Sequence, residues 1–235
     1  MKYIGSELEI FKEATNWKSY WASQLSPFLR GSVLEVGAGI GGSTRALLDN
    51  APQSKIDSWT CLEPDPELFK ELEKASSLLE IKPNCQQGFL NDIPAGKVFD
   101  TILYLDVLEH IEDHEDELAR AAKRLDSGGS LVVLVPAHDF LFSEFGRSIG
   151  HFRRYSKSTL LELTPDSISP VLVRYLDSVG VAASLLNKFV LQQPYPTRKQ
   201  ILFWDRVLVK FSRLFDRCIF YTLGKSVLVV WQKNK

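Results

Sequence analysis

Val33-Leu34-Glu35-Val36-Gly37-Ala38-Gly39-Ile40-Gly41-Gly42-Ser43-Thr44 is the stretch from which the rest of the chain can be read. Apolar β-formers stop at a run of glycines, after which Thr44-Arg45-Ala46-Leu47-Leu48 resumes with helical spacing, so the order is strand, tight turn, helix. Gly37 and Gly39, on either side of Ala38, accept positive φ and carry no Cβ, which lets backbone N–H groups approach a ligand. The following helix aims its free amides at the same place. This is a nucleotide-cofactor loop, but glycines alone do not name the cofactor.

Glu35 discriminates. It stands two residues before the first glycine, at the carboxyl end of the strand, and is expected to face the loop. A carboxylate there repels a pyrophosphate and attracts a cation, so a ligand bearing an ammonium and a sulfonium suits the loop better than NAD. Glu35-Val36-Gly37-Ala38-Gly39-Ile40-Gly41 resembles the first motif of the class I S-adenosylmethionine-dependent methyltransferases. The resemblance implies S-adenosylmethionine as cofactor, S-adenosylhomocysteine as its product, and a Rossmann-like seven-stranded sheet with the last strand antiparallel.

The 235 residues suffice for one α/β domain with a sizeable core. The expected layout is a helical lid or cap (1–29), a cofactor core (30–137), a substrate-side loop, helix and sixth strand (138–176), a helical insertion (177–225) and a last strand (226–235). A formal charge of −1 gathers no nucleic acid. Three cysteines without CxxC spacing argue against a disulfide framework or a zinc site and for a cytoplasmic setting. No signal peptide is visible, and the apolar runs are far below the roughly 20 residues that span a bilayer, so membrane contact is at most peripheral.

Along the chain, strands are predicted at 58–62, 98–106, 131–136, 170–176 and 226–231, alternating at first with helices at about 43–50, 66–79 and 112–125, the last closed by a glycine turn at 126–129. That is the doubly wound pattern. Glu63, followed by Pro64, ends the second strand roughly 20 residues past the glycines, where a carboxylate accepts from both ribose hydroxyls. After the third strand, either Asn91 or Asp92 meets the adenine, or Phe89 and Leu90 sandwich it.

Asp106-Val107-Leu108-Glu109-His110 resembles the fourth-strand motif of small-molecule methyltransferases, which implies that Asp106 contacts the methionine part of the cofactor and faces the substrate. All four histidines (His110, His114, His138 and His151) fall between this strand's end and the loop after the fifth strand, the side on which open α/β sheets bind ligands. His138 or His110 is the expected base, with His151 next and Tyr155 as an orienting phenol. Gly150-His151-Phe152-Arg153-Arg154-Tyr155-Ser156 resembles a segment of one bacterial branch of these enzymes. Arg153 and Arg154 are read as a clamp on an acidic or phosphorylated acceptor, or as ties to Glu144 or Asp139. Tyr3, Trp17 and Tyr20 are read as cap or lid, Tyr20 with a place at the substrate.

No metal is expected, because Asp106, Glu109 and His110 lack a further ligand in the sequence around them. Ile201, Trp204, Leu208, Phe211, Leu214 and Phe215 share one face of a helix in the insertion, which either packs on its own domain or serves a homodimer, a substrate roof or a membrane surface. The function expected is methyl transfer to an oxygen or nitrogen of a small-molecule, sugar or lipid-linked acceptor. The alternatives are an NAD-dependent oxidoreductase and a catalytically silent, cofactor-binding partner subunit.

Overall fold

Val33, Leu34, Glu35 and Val36 form the end of the first strand of a computed structural model, which describes residues 7–51, 53–191 and 195–234. Tyr3 lies outside them. The strands are β1 Gly31–Val36, β2 Ile56–Glu63, β3 Asn84–Gln87, β4 Phe99–Leu105, β5 Leu125–Pro136, β6 Ile168–Leu176 and β7 Ser226–Lys233. The helices are α1 Glu7–Phe11, α2 Thr15–Leu25, α3 Gly42–Asn50, α4 Pro66–Ser76, α5 His114–Lys123, α6 Glu144–Ser148, α7 Lys157–Glu162, α8 Ser178–Leu186, α9 Arg198–Phe203 and α10 Val209–Cys218. No described helix is long and apolar enough to cross a membrane.

The sheet runs β3-β2-β1-β4-β5-β7-β6, with β1 to β5 parallel and β7 antiparallel to both neighbours. The order reverses between β1 and β4, which opens a crevice at their carboxyl ends. The buried strands alternate their side chains between two cores. Val33, Cys61, Leu103, Val132, Leu228 and Val230 face α2, α3 and the insertion. Leu34, Leu62, Ile102, Tyr104, Val133 and Val229 face α5 and α7.

The glycine turn expected at 126–129 is instead part of β5, whose Leu125 pairs with Phe99 across an irregularity in the register. Helix α5 ends at Lys123, and the amide of Arg124 bonds the carbonyl of Ala121.

The insertion is bound to α2 by buried carboxylates. Asp216 accepts from the Tyr20 hydroxyl at 2.7 Å and from the amides of Asp177 and Ser178 at 2.7 and 2.9 Å. Asp177 accepts from the Trp204 indole at 2.7 Å and the Ser212 hydroxyl at 2.6 Å. Asp205 accepts from the amides of Asn16 and Trp17. Tyr20 is therefore a core residue, 2% exposed, and not a substrate contact. Two of the six residues of the predicted apolar face, Ile201 and Trp204, are buried and Leu208 is half-buried, while Phe211, Leu214 and Phe215 stay exposed.

Candidate active site

The loop after β1 takes positive φ at Gly37, Gly39 and Gly41. A Cβ on Gly37 would stand 2.7 Å from Val107 Cγ2, so the β1 and β4 loops touch where only glycine fits. Gly39 donates its amide to Glu63 Oε2 at 2.8 Å, and Asp65 donates its amide to Glu63 Oε1 at 2.9 Å. A carboxylate has about four acceptor positions, so each oxygen keeps one lone pair for a ligand. Pro64 links Glu63 to Asp65, the N-cap of α4. Burial pushes the Glu63 carboxyl above its ordinary range.

Glu35 corrects the expectation that it faces the loop. It is 1% exposed and lies beneath the glycines, where it accepts from Thr44 Oγ1 at 2.8 Å and Trp59 Nε1 at 3.1 Å. It joins β1, α3 and β2 under the cofactor loop, and burial pushes its carboxyl up to about 7.

At the end of β3, Phe89 is 51% exposed, whereas Leu90 is turned into the core and cannot sandwich a ring with it. The Asp92 carboxylate accepts from the Phe89 amide at 2.8 Å, and Phe89, Asn91 and Asp92 are all exposed. Asp106 follows β4 in left-handed backbone and is open to solvent. The surrounding protein pushes its carboxyl up to about 6, against the pull of Lys18, Lys225 and Arg154.

The segment 150–155 is a strap across the turn 108–112. The Phe152 amide donates to the Glu109 carbonyl at 2.9 Å, and the Tyr155 hydroxyl to the Leu108 carbonyl at 3.3 Å. Arg153 donates to the carbonyls of Ile111 and Glu112, and Arg154 to those of Ala137, Leu141 and Lys225. These guanidiniums hold loops together. The hydrogen bonds expected to Glu144 or Asp139 are not among those that hold them. Tyr155 is 2% exposed, bonds His114 Nδ1 at 2.8 Å, and is an anchor of the strap.

The strap brings His151 to His110, their rings perpendicular with centroids 4.6 Å apart. Both lie beside Glu109, 0% exposed, whose Oε1 is 3.8 Å from His151 Nε2. Burial holds His110 below the ordinary imidazole range and takes His151, with His110 beside it, down to about 3. His138 is apart from this group. Its ring packs against Phe140 at 5.0 Å and Tyr175 at 4.5 Å with Nε2 shut off from solvent, and like His110 and His151 it is half-buried.

Sequence reasoning passed over Lys18 and the place of Glu109. Lys18 reaches back over Gly42 from α2, donates to the Phe11 carbonyl, and has its ammonium lowered to about 8 by burial. The adjacency of Glu109 to His110 marks the spot in the sequence, but nothing local points to His151.

Residues 34–131 match the family model of a methyltransferase domain. The lovastatin nonaketide synthase of Monascus pilosus is 29% identical over 111 residues, covering 45% of this chain, while the chain spans 4% of the length of that curated relative. Among solved structures, a chain of the complex between the Haloferax volcanii Trm112 methyltransferase activator and a methyltransferase superposes with a TM-score of 0.66 at 18% identity, over 97% of this chain and 92% of that one. Coclaurine N-methyltransferase, bound to N-methylheliamine and S-adenosylhomocysteine, gives 0.61 at 15% identity over 99% and 83%. The protein therefore has the seven-stranded, Rossmann-like fold of these methyltransferase structures, and its residues 34–131 match the methyltransferase-domain model.

Proposed function

We propose that the chain transfers the methyl group of S-adenosylmethionine to an oxygen or nitrogen of a small-molecule acceptor. Glu63 carries the reading. Its carboxylate ends β2, the strand beside β1, is anchored by Gly39 and Asp65, and has a lone pair left on each oxygen for the two ribose hydroxyls. Gly37, Ala38 and Gly39 offer the close backbone approach, Phe89 the adenine wall with Asn91 at its edge, and Asp106 a carboxylate for the methionine ammonium. A solved relative in fold holds S-adenosylhomocysteine, which supports this choice of cofactor.

The chemistry supplied when the cofactor is bound is an electrophilic methyl on sulfur. The chain's own part is to position donor and acceptor in line and to exclude water, which accounts for most of such a rate enhancement. A general base for a proton on the acceptor is a smaller contribution than this positioning.

Calorimetric titration with S-adenosylhomocysteine tests the reading. Wild-type protein is expected to bind it, Glu63→Ala to bind at least about tenfold more weakly through loss of charged hydrogen bonds, and Glu63→Gln to lie between. Wild-type binding of NAD in place of the thioether, or unchanged affinity in Glu63→Ala, contradicts it.

A further inference from the structure

Glu109 is the least expected residue in the protein. It is 0% exposed, and apart from its own nearby amide neither carboxylate oxygen has a hydrogen-bond partner among the described residues. An ionised carboxylate so placed costs several kcal/mol unless something compensates it. The cation whose charge reaches it, Arg154, donates its N–H groups to the carbonyls of Ala137, Leu141 and Lys225 instead. Beside Glu109 stand two imidazoles, and one donor atom from each of Glu109, His110 and His151 lies within 4.8 Å of the others.

We infer that Glu109, His110 and His151 bind a divalent first-row transition ion such as Mn2+, Fe2+, Co2+ or Zn2+. One carboxylate and two imidazoles form a mixed O/N donor set of the kind these ions take. Ligand bonds of about 2.1 Å place donor atoms of adjacent coordination positions roughly 3 Å apart, so the 3.8 Å between Glu109 Oε1 and His151 Nε2 needs only a small contraction.

The outer contacts suit the task. His110 is hydrogen-bonded to the Gly150 backbone, which fixes its ring. Phe152, Arg153 and Tyr155 lock the strap to the 108–112 turn, so the donors from two distant stretches of sequence are held before an ion arrives. Three protein ligands would leave coordination positions open. That these receive an acceptor oxygen rests on the methyl-transfer reading; the ion site does not.

Tag-free protein is titrated with Co2+, followed by its visible absorption and by thermal unfolding. The expected result is one ion per chain and a raised melting temperature. Affinity should fall at least tenfold in Glu109→Gln and in His151→Ala, and stay unchanged in His138→Ala. Absence of saturable binding by folded wild-type protein, or equal binding by the variants, overturns the inference. Should the variants not fold, pulsed electron paramagnetic resonance of Mn2+-loaded wild-type protein decides: imidazole nitrogen couplings support the site, and their absence overturns it. Loss of S-adenosylhomocysteine binding alone would contradict the proposed function and leave the ion site standing.

Discussion

Glu35 links protonation to folding. Its carboxyl is raised from an ordinary 4.5 to about 7 by burial, so the folded chain keeps a proton that the unfolded chain releases. Stability is then greatest below the ordinary value, declines as pH rises through the window between them, and has lost about 3 kcal/mol from this group once pH passes 7. Urea midpoints measured from about pH 5 to about pH 8 should fall in wild type and fall distinctly less in Glu35→Gln, whose amide still accepts from Thr44 or Trp59. Parallel curves for the two proteins would contradict this placement. Glu35 also marks a limit of sequence reading. The strand-end acid and its neighbourhood to the glycines were legible in the sequence, whereas the direction of its side chain depends on Thr44 in the next helix and Trp59 in the next strand.

At the scale of elements, the glycine loop and the insertion are each held by a few groups. Gly37→Ala adds left-handed strain of roughly 1–2 kcal/mol and drives a Cβ into Val107. The variant should unfold at lower urea and bind S-adenosylhomocysteine more weakly; wild-type stability would show that the two loops are free to part. Asp216→Ala leaves Tyr20 and two backbone amides without their acceptor and should cost about 3 kcal/mol, read from the urea midpoint, while a loss below about 1 kcal/mol would mean that water replaces the carboxylate. The strands and crossover helices follow from local patterning, which is why their order is readable from residues alone. The β5 extension through 125–129 is not, because Gly128, in left-handed backbone, and Gly129 look like a turn, and they lie in the irregularity between Leu125 and Ser130, the two residues that pair with β4. Tyr20 misleads for a similar reason: its partner Asp216 comes from an insertion nearly the length of the chain away.

For the whole molecule, the reversal of strand order between β1 and β4 collects Gly37, Gly39, Glu63 and Asp106 at one end of the sheet, and the strap adds Glu109, His110 and His151 beside them. The residues proposed for the cofactor lie in short motifs with fixed spacing, so their grouping at the strand ends is readable from the sequence. The rest is assembled across about 40 residues by backbone bonds that no local pattern announces; Arg153 and Arg154 read there as ligand-binding groups because their carbonyl partners are invisible in sequence. A crystal structure of the S-adenosylhomocysteine complex tests the central claim most directly. The ribose hydroxyls are predicted on the two oxygens of Glu63, the adenine against Phe89 and the amino group toward Asp106. A ligand bound elsewhere, or a ribose away from Glu63, would contradict the account.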